Sequence, residues 1–202
     1  MLKTLKKKIL GIPSIPEHAK GGILHISDTP RPIYRWLKYL INTVQPSYII
    51  HTGDIADDIK LENAPMRLRN IYREAVREFR NILSDYLEST YIVVGNHDDK
   101  EILSSILSLA HIVNEPYKVI LNDISFLLAH KPPTCPEDVE FILFGHQPTE
   151  NLLELSRCLN GIHNIHIISK DKQVFYVPYP KGTNKYRKLR WGDGSDFIHR
   201  GP

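Results

Sequence analysis

The chain has 202 residues, 42% of them hydrophobic and 24% charged, with a formal net charge of +3 at pH 7. That length suits one domain with a sizeable core and leaves little room for a cap or partner domain, and so small a charge does not make a nucleic acid the expected partner. No apolar run reaches the roughly 20 residues that span a bilayer, so no membrane contact is expected. The basic start, with Lys3, Lys6, Lys7 and Lys8, is followed by a stretch over 9–16 too short and too broken by Pro and Gly for a signal peptide. Cys135 and Cys158 form no metal or redox motif. The expectation is a cytoplasmic protein with reduced thiols, one domain over 1–202 with its core at about 21–180 and basic ends.

In chain order, an apolar run over 23–26 reads as a buried strand and leads into Ser27 and Asp28. Thr29-Pro30-Arg31-Pro32 then reads as a helix start. Arg31 has two readings there, a phosphate contact at the strand ends or a solvated residue of the first turn. The helix over 32–45 carries Ile33, Trp36, Leu37, Leu40 and Ile41 on one face. A second run, 47–54, ends on Gly53-Asp54. The helix that follows over 65–87 places Leu68, Ile71, Tyr72, Ala75, Phe79, Ile82, Leu83 and Tyr86 at helical spacing. Its arginines, from Arg67 to Arg80, alternate with Glu74 and Glu78 and read as a solvated face. A third run, 91–98, ends on Gly95-Asn96-His97-Asp98, and a helix over 100–110 follows.

A hairpin over 117–130 with Asn122-Asp123 at its turn delivers His130, and a fifth run over 141–146 delivers Gly145-His146. A second hairpin pairs 165–169 with 173–177 across Lys170-Asp171-Lys172. The basic and aromatic end, from Lys181 through Tyr186 and Arg187 to Trp191, reads as a solvated or loosely docked tail. Helices alternating with hairpins exclude a purely parallel sheet. They predict an α/β fold, a four-layer α/β/β/α sandwich of two mixed β-sheets flanked by helices.

Five strands that each end on a group able to bind a metal or move a proton define a site, because ligands in layered α/β folds bind beyond the carboxyl ends of the strands. Laid side by side, the strands bring Asp28, Asp54, Asn96, His97, His130 and His146 to one edge. Carboxylate and amide oxygens mixed with imidazoles suit divalent Mn, Fe, Co or Zn better than Ca or a thiolate zinc site.

In order and spacing these stretches resemble the calcineurin-like metallophosphoesterases, and within them the compact phosphodiesterase branch. The pattern of that family is Asp-x-His, Gly-Asp-x-x-Asp, Gly-Asn-His-Asp or Glu, a lone His, and Gly-His-x-His. The corresponding stretches here are Asp28-Thr29-Pro30, Gly53-Asp54-Ile55-Ala56-Asp57, Gly95-Asn96-His97-Asp98, His130, and Gly145-His146-Gln147-Pro148. The resemblance implies one full set of metal ligands, Asp54, Asn96, His130 and His146. It leaves a second set reduced to Asp28 and Asp54, because Pro30 and Pro148 stand where the family has histidines. Asp57, Asp58, Asp99 and His25 are the nearby substitutes. By the same resemblance His97 stands beside the leaving group with Asp98 orienting its ring; Asn96 and, from its position just after Asp28, Arg31 are the candidates for substrate contact. The implied cofactor is a divalent ion, Mn²⁺ first, with Fe, Zn, Co or Ni as alternatives. The implied activity is hydrolysis of a phosphodiester or phosphomonoester by metal-activated water. A non-catalytic scaffold or ligand sensor on the same fold, with a degenerate metal site, is the rival reading.

Overall fold

A computed structural model describes residues 11, 13–134, 138–147 and 157–187. The apolar runs become central strands because both of their faces are buried. Successive strand side chains point to opposite sides of a sheet. The pairs Ile23 and Leu24, Ile49 and Ile50, and Ile92 and Val93 accordingly divide between two separate cores. A run that is apolar at every position meets that demand.

Four parallel strands, β1 (Ile23–Ile26), β2 (Tyr48–His51), β3 (Thr90–Val93) and β4 (His111–Val113), form one side of a six-stranded sheet. The antiparallel strands β9 (Asn164–Ile168) and β10 (Val174–Pro178) extend it beyond β1, in the order β10-β9-β1-β2-β3-β4. Each parallel step is bridged by a helix: α1 (Tyr34–Val44), α2 (Pro65–Ile82) and α3 (Lys100–Ile106). Leu37, Leu40 and Ile41 of α1 and Tyr72, Ala75, Val76 and Phe79 of α2 join one buried cluster with Leu24, Ile26, Ile49 and Ile92 of this sheet.

The second sheet has the order β5-β6-β7-β8, from β5 (Tyr117–Leu121), β6 (Ile124–Leu128), β7 (Phe141–Phe144) and β8 (Cys158–Asn160). Its β5–β6 hairpin turns at Asn122 and Asp123, with φ of 50° and 60°, the paired left-handed conformation of a tight two-residue turn. Phe126, Leu128, Leu143 and Leu159 meet Ile23, Ile50, Val93 and Ile168 of the first sheet between the layers. Leu127, Ile142, Phe144 and Cys158, on the other face of the second sheet, form a third buried cluster. Two mixed sheets with helices outside are the sandwich that the sequence predicts.

The helices are shorter than their periodicity suggests. α1 stops at a left-handed Gln45, whose N–H returns to Ile41, and Pro46 then blocks continuation. α2 ends at Ile82, where the N–H of Leu83 is shared between Phe79 O and Arg80 O. Ile71 is 44% exposed while Val76 is buried in its place. The strands at 111–113 and 158–160 and the short helix α4 (Thr183–Arg187) carry no sequence signal of their own. Among the described residues, no helix is long and apolar enough to cross a membrane.

Candidate metal centre

The register of the sheets sets the strand ends level. Ile26 lies opposite His51, His51 opposite Ile92, and Leu128 opposite Leu143. The loops that leave those ends carry Asp28, Asp54 and Asn96–Asp98 from the six-stranded sheet, and His130 and His146 from the four-stranded sheet. Asp28, Asp54 and His146 have φ of 48°, 57° and 69°. For a non-glycine residue such a backbone costs about 1–3 kcal/mol and persists where neighbours enforce it.

Here the neighbours are identifiable. Asp28 N–H donates to Gly53 O at 3.0 Å, Thr29 N–H to Asp54 O at 3.0 Å, and His146 N–H to Asp28 Oδ2 at 3.0 Å. The Asp98 carboxylate gathers the N–H groups of Asp54 (2.8 Å), Ile55 (3.1 Å) and Gly95 (2.9 Å) and the hydroxyl of Tyr72 (2.8 Å). A Cβ on Gly95 would collide with the Asp54 carboxylate, so the close approach of the two loops requires glycine there.

Proton positions then assign the ligand atoms. His130 Nδ1 is 2.8 Å from Thr52 O, and a carbonyl only accepts, so Nδ1 carries a hydrogen and, in the neutral ring, Nε2 a lone pair. Asn96 Nδ2 donates to Glu62 Oε2 at 3.0 Å, which turns Asn96 Oδ1 to within 2.9 Å of His130 Nε2. Two acceptors thus face each other with no hydrogen between them. His146 Nδ1, 3.0 Å from His130 Nε2, and Asp54 Oδ2, 3.5 Å from it, complete the group. A proton on His146 Nδ1 relieves one of these contacts and leaves the Asn96 contact uncompensated. A cation among Asp54, Asn96, His130 and His146 relieves them all. Asp54, His130 and His146 offer ligand atoms within 4.8 Å of one another.

The electrostatics agree. Burial, then the carboxylates of Asp98, Asp28 and Asp57, raise the pKa of Asp54 well above the usual carboxylate range. Burial, then His130, lowers that of His146. An ion-free centre therefore resists both charges, and a divalent cation reverses the balance at Asp54.

The remaining expected residues are placed as follows. His97 donates its backbone N–H to Asp54 Oδ1 at 2.9 Å. Its ring has Nε2 4.0 Å from Asp54 Oδ2 and Nδ1 3.5 Å from Glu62 Oε1. Asp98, expected to orient that ring, instead braces the Asp54 turn. Asp28 accepts from Ser27 Oγ and from His146 N–H. Arg31 is bonded to Asp58, Nε to Oδ2 at 3.0 Å and N–H to Oδ1 at 2.8 Å. Asp99 caps α3 through Ile102 N–H and pairs with Arg69. His25 lies between His166 and Thr52. Of the possible substitute ligands, only Asp57 joins the centre, with one ligand atom each from Asp54, Asp57 and His97 within 4.8 Å. Pro30 opens the turn before α1 and has no ligating side-chain atom. Pro148, Lys188, Arg190 and Trp191 lie outside the described residues.

Several contributors have no sequence signature. Glu115 accepts the N–H of His130 (2.6 Å) and of Lys131 (2.8 Å). Arg187, expected in a solvated tail, is 1% exposed. Its guanidinium donates to Asp28 O (2.7 Å), Ile162 O (2.7 Å) and Ser27 O (3.2 Å) and lies 4.2 Å over the Tyr179 ring. A guanidinium fixed on backbone carbonyls beneath Asp28 holds that left-handed residue from below.

The profile described as calcineurin-like phosphoesterase matches residues 22–150, which contain every one of these ligands. The chain belongs to that family. The phosphoesterase YfcE from E. coli shares 14% identity and a TM-score of 0.43, over 78% of this chain and 99% of its own. The nuclease MPE from Pseudomonas putida shares 19% identity and a TM-score of 0.39, over 61% of this chain and 60% of its own. No curated protein matches the chain. Membership of the calcineurin-like family makes this a phosphoesterase fold whose active site takes divalent metal ions, and Pro30 is its departure from the family pattern within the described residues.

Proposed function

We propose that the protein hydrolyses phosphate esters, diesters foremost, with one Mn²⁺ held by Asp54, Asn96, His130 and His146. The observation that carries this reading is the pair of lone-pair atoms, Asn96 Oδ1 and His130 Nε2, fixed 2.9 Å apart by Glu62 and Thr52. When bound, the ion supplies Lewis acidity toward a phosphoryl oxygen and toward water. The chain supplies the rest. Asn96 orients the phosphoryl group, and Asp54 serves as a ligand of the ion. His97, whose pKa is lowered to about 4 by burial and then by the Lys60 charge, is neutral at pH 7 and offers its ring N–H to the leaving oxygen. Asp98 holds the Asp54 turn in place and touches no reacting atom. A groove of about 460 Å³ beside Asn96, lined by Leu61, Pro65 and Lys100 and by Arg69 with its partners Asp99 and Glu101, gives room for a second substituent on phosphorus.

The test is hydrolysis of an aryl phosphodiester and the matching monoester across a Mn²⁺ titration, with His97→Ala and His130→Ala beside the parent. Metal-dependent turnover that falls at least 100-fold in both variants is the expected result, roughly the loss of one positioned acid or ligand. Pro30, in place of a ligand, favours the non-catalytic rival. Mn²⁺ binding through His130 with no turnover at any concentration would establish that rival.

A further inference from the structure

Lys60 lies in the loop after Asp54 and is a residue that no motif accounts for. Its Nζ is bonded to Asp57 Oδ1, and the two side chains are 19% and 2% exposed. Asp57 is in turn grouped with Asp54 and His97. Asp54 therefore stands between two sets of groups, His130 and His146 in one, Asp57 and His97 in the other. Asp28, Asp54 and Asp57 are each 2% exposed or less. Among the described residues, Lys60 is the sole lysine or arginine whose charged group pairs with any of these three carboxylates. A divalent ion beside His130 and His146 balances two of their charges and leaves the third uncompensated. Pro30 brings no ligand for a further ion. The ammonium of Lys60 supplies one positive charge on the Asp57 side, and its two N–H groups beyond the one on Asp57 have no partner among the described residues.

We propose that Lys60 is a phosphate-binding residue of this centre, its ammonium seated on Asp57 and meeting the phosphoryl oxygens on the Asp57 and His97 side of Asp54. The proposal rests on the reading of the site as a phosphoesterase centre and deepens it: the centre works with one ion and one ammonium. The alternative, in which Lys60 only neutralises Asp57, leaves phosphate binding independent of Lys60.

The experiment is calorimetric titration of the full chain, first with Mn²⁺ and then with inorganic phosphate, for the parent, Lys60→Gln and Lys60→Arg. The expected result is one Mn²⁺ per parent chain, Mn²⁺ affinity retained in both variants, and phosphate affinity reduced about tenfold or more in Lys60→Gln and recovered in Lys60→Arg. Undiminished phosphate affinity in Lys60→Gln overturns the proposal. Two Mn²⁺ ions per parent chain also overturn it, since an ion then takes the charge role assigned to the ammonium, while the phosphoesterase reading survives. A parent that binds no Mn²⁺ defeats the metal reading. Phosphate titration without metal then decides Lys60 by itself, loss in Lys60→Gln upholding it and retention overturning it. Should Lys60→Gln fail to fold, Lys60→Met takes its place in the same titrations.

Discussion

Tyr72 shows how a side chain far from any substrate sets the geometry of the centre. It is fully buried on α2, and its hydroxyl donates to the Asp98 oxygen that also receives Ile55 N–H. Loss of that hydroxyl leaves Asp98 less firmly held and the left-handed Asp54 turn with it. Tyr72→Phe is expected to destabilise the protein by about 1–2 kcal/mol in urea unfolding. The same variant should weaken Mn²⁺ binding roughly tenfold in calorimetry, as outer partners of metal ligands do. An unchanged Mn²⁺ affinity would mean that the Asp98 brace is dispensable. The candidate ligands could be picked out in the sequence because few residue types carry suitable donor atoms and each one ends an apolar run. The role of Asp98 was not legible, because its partners lie 26 and 44 residues away along the chain. Lys60, Glu62 and Glu115 were hidden for a related reason, since charged loop residues are common and only their placement distinguishes them.

At the level of the strands, three histidines form a buried layer beneath the centre. His25 of β1 is bonded to His166 of β9 and to Thr52, and His51 of β2 to Thr29 and Gly53 N–H. Burial, then neighbouring charges, lowers His51 and His166 to about 3 from an ordinary 6.5. Between about pH 3 and 6.5 the unfolded chain binds protons at these two positions that the folded chain does not. Their contribution to stability is therefore lost as pH falls through that window. The raised pKa of Asp57, about 7, acts in the opposite direction, so the informative quantity is a difference between proteins. The stability advantage of the parent over His166→Gln should shrink by about 2 kcal/mol between pH 7 and pH 5, read by urea unfolding. A pH-independent difference would show that His166 titrates alike in the folded and unfolded chain. Sequence pattern revealed the longer elements because a strand buried on two faces and a helix buried on one leave distinct periodicities. It missed α4, whose attachment is a single guanidinium on backbone carbonyls and leaves no periodic trace.

For the molecule as a whole, the proposed ligands are drawn from both sheets, Asp54 and Asn96 from one and His130 and His146 from the other. Binding that is confined to the folded state raises stability by about 2.7 kcal/mol at a ligand concentration 100 times Kd. For a chain of this size that is roughly 5–10 °C in melting temperature. Mn²⁺ is expected to raise the melting temperature by this amount, a chelator to reverse it, and His130→Ala to show no response. A full Mn²⁺ shift in His130→Ala would place the ion elsewhere. The architecture of two facing mixed sheets was legible because the hairpins could not belong to a purely parallel sheet. The register that sets five loops level was not, because alternation fixes which face a residue takes but not which residue it stands beside.

One consequence of that division of ligands concerns mechanics. The sheets face each other across an apolar layer, and apolar layers resist separation through area while permitting small slides. A bound ion adds a directional tie at the rim of that layer, joining points 92 residues apart in the chain, from Asp54 to His146. Shear between the sheets would strain this tie before it disturbed the packing behind it. The rim proposed to bind phosphate would then also be the latch that keeps the two halves of the sandwich in step.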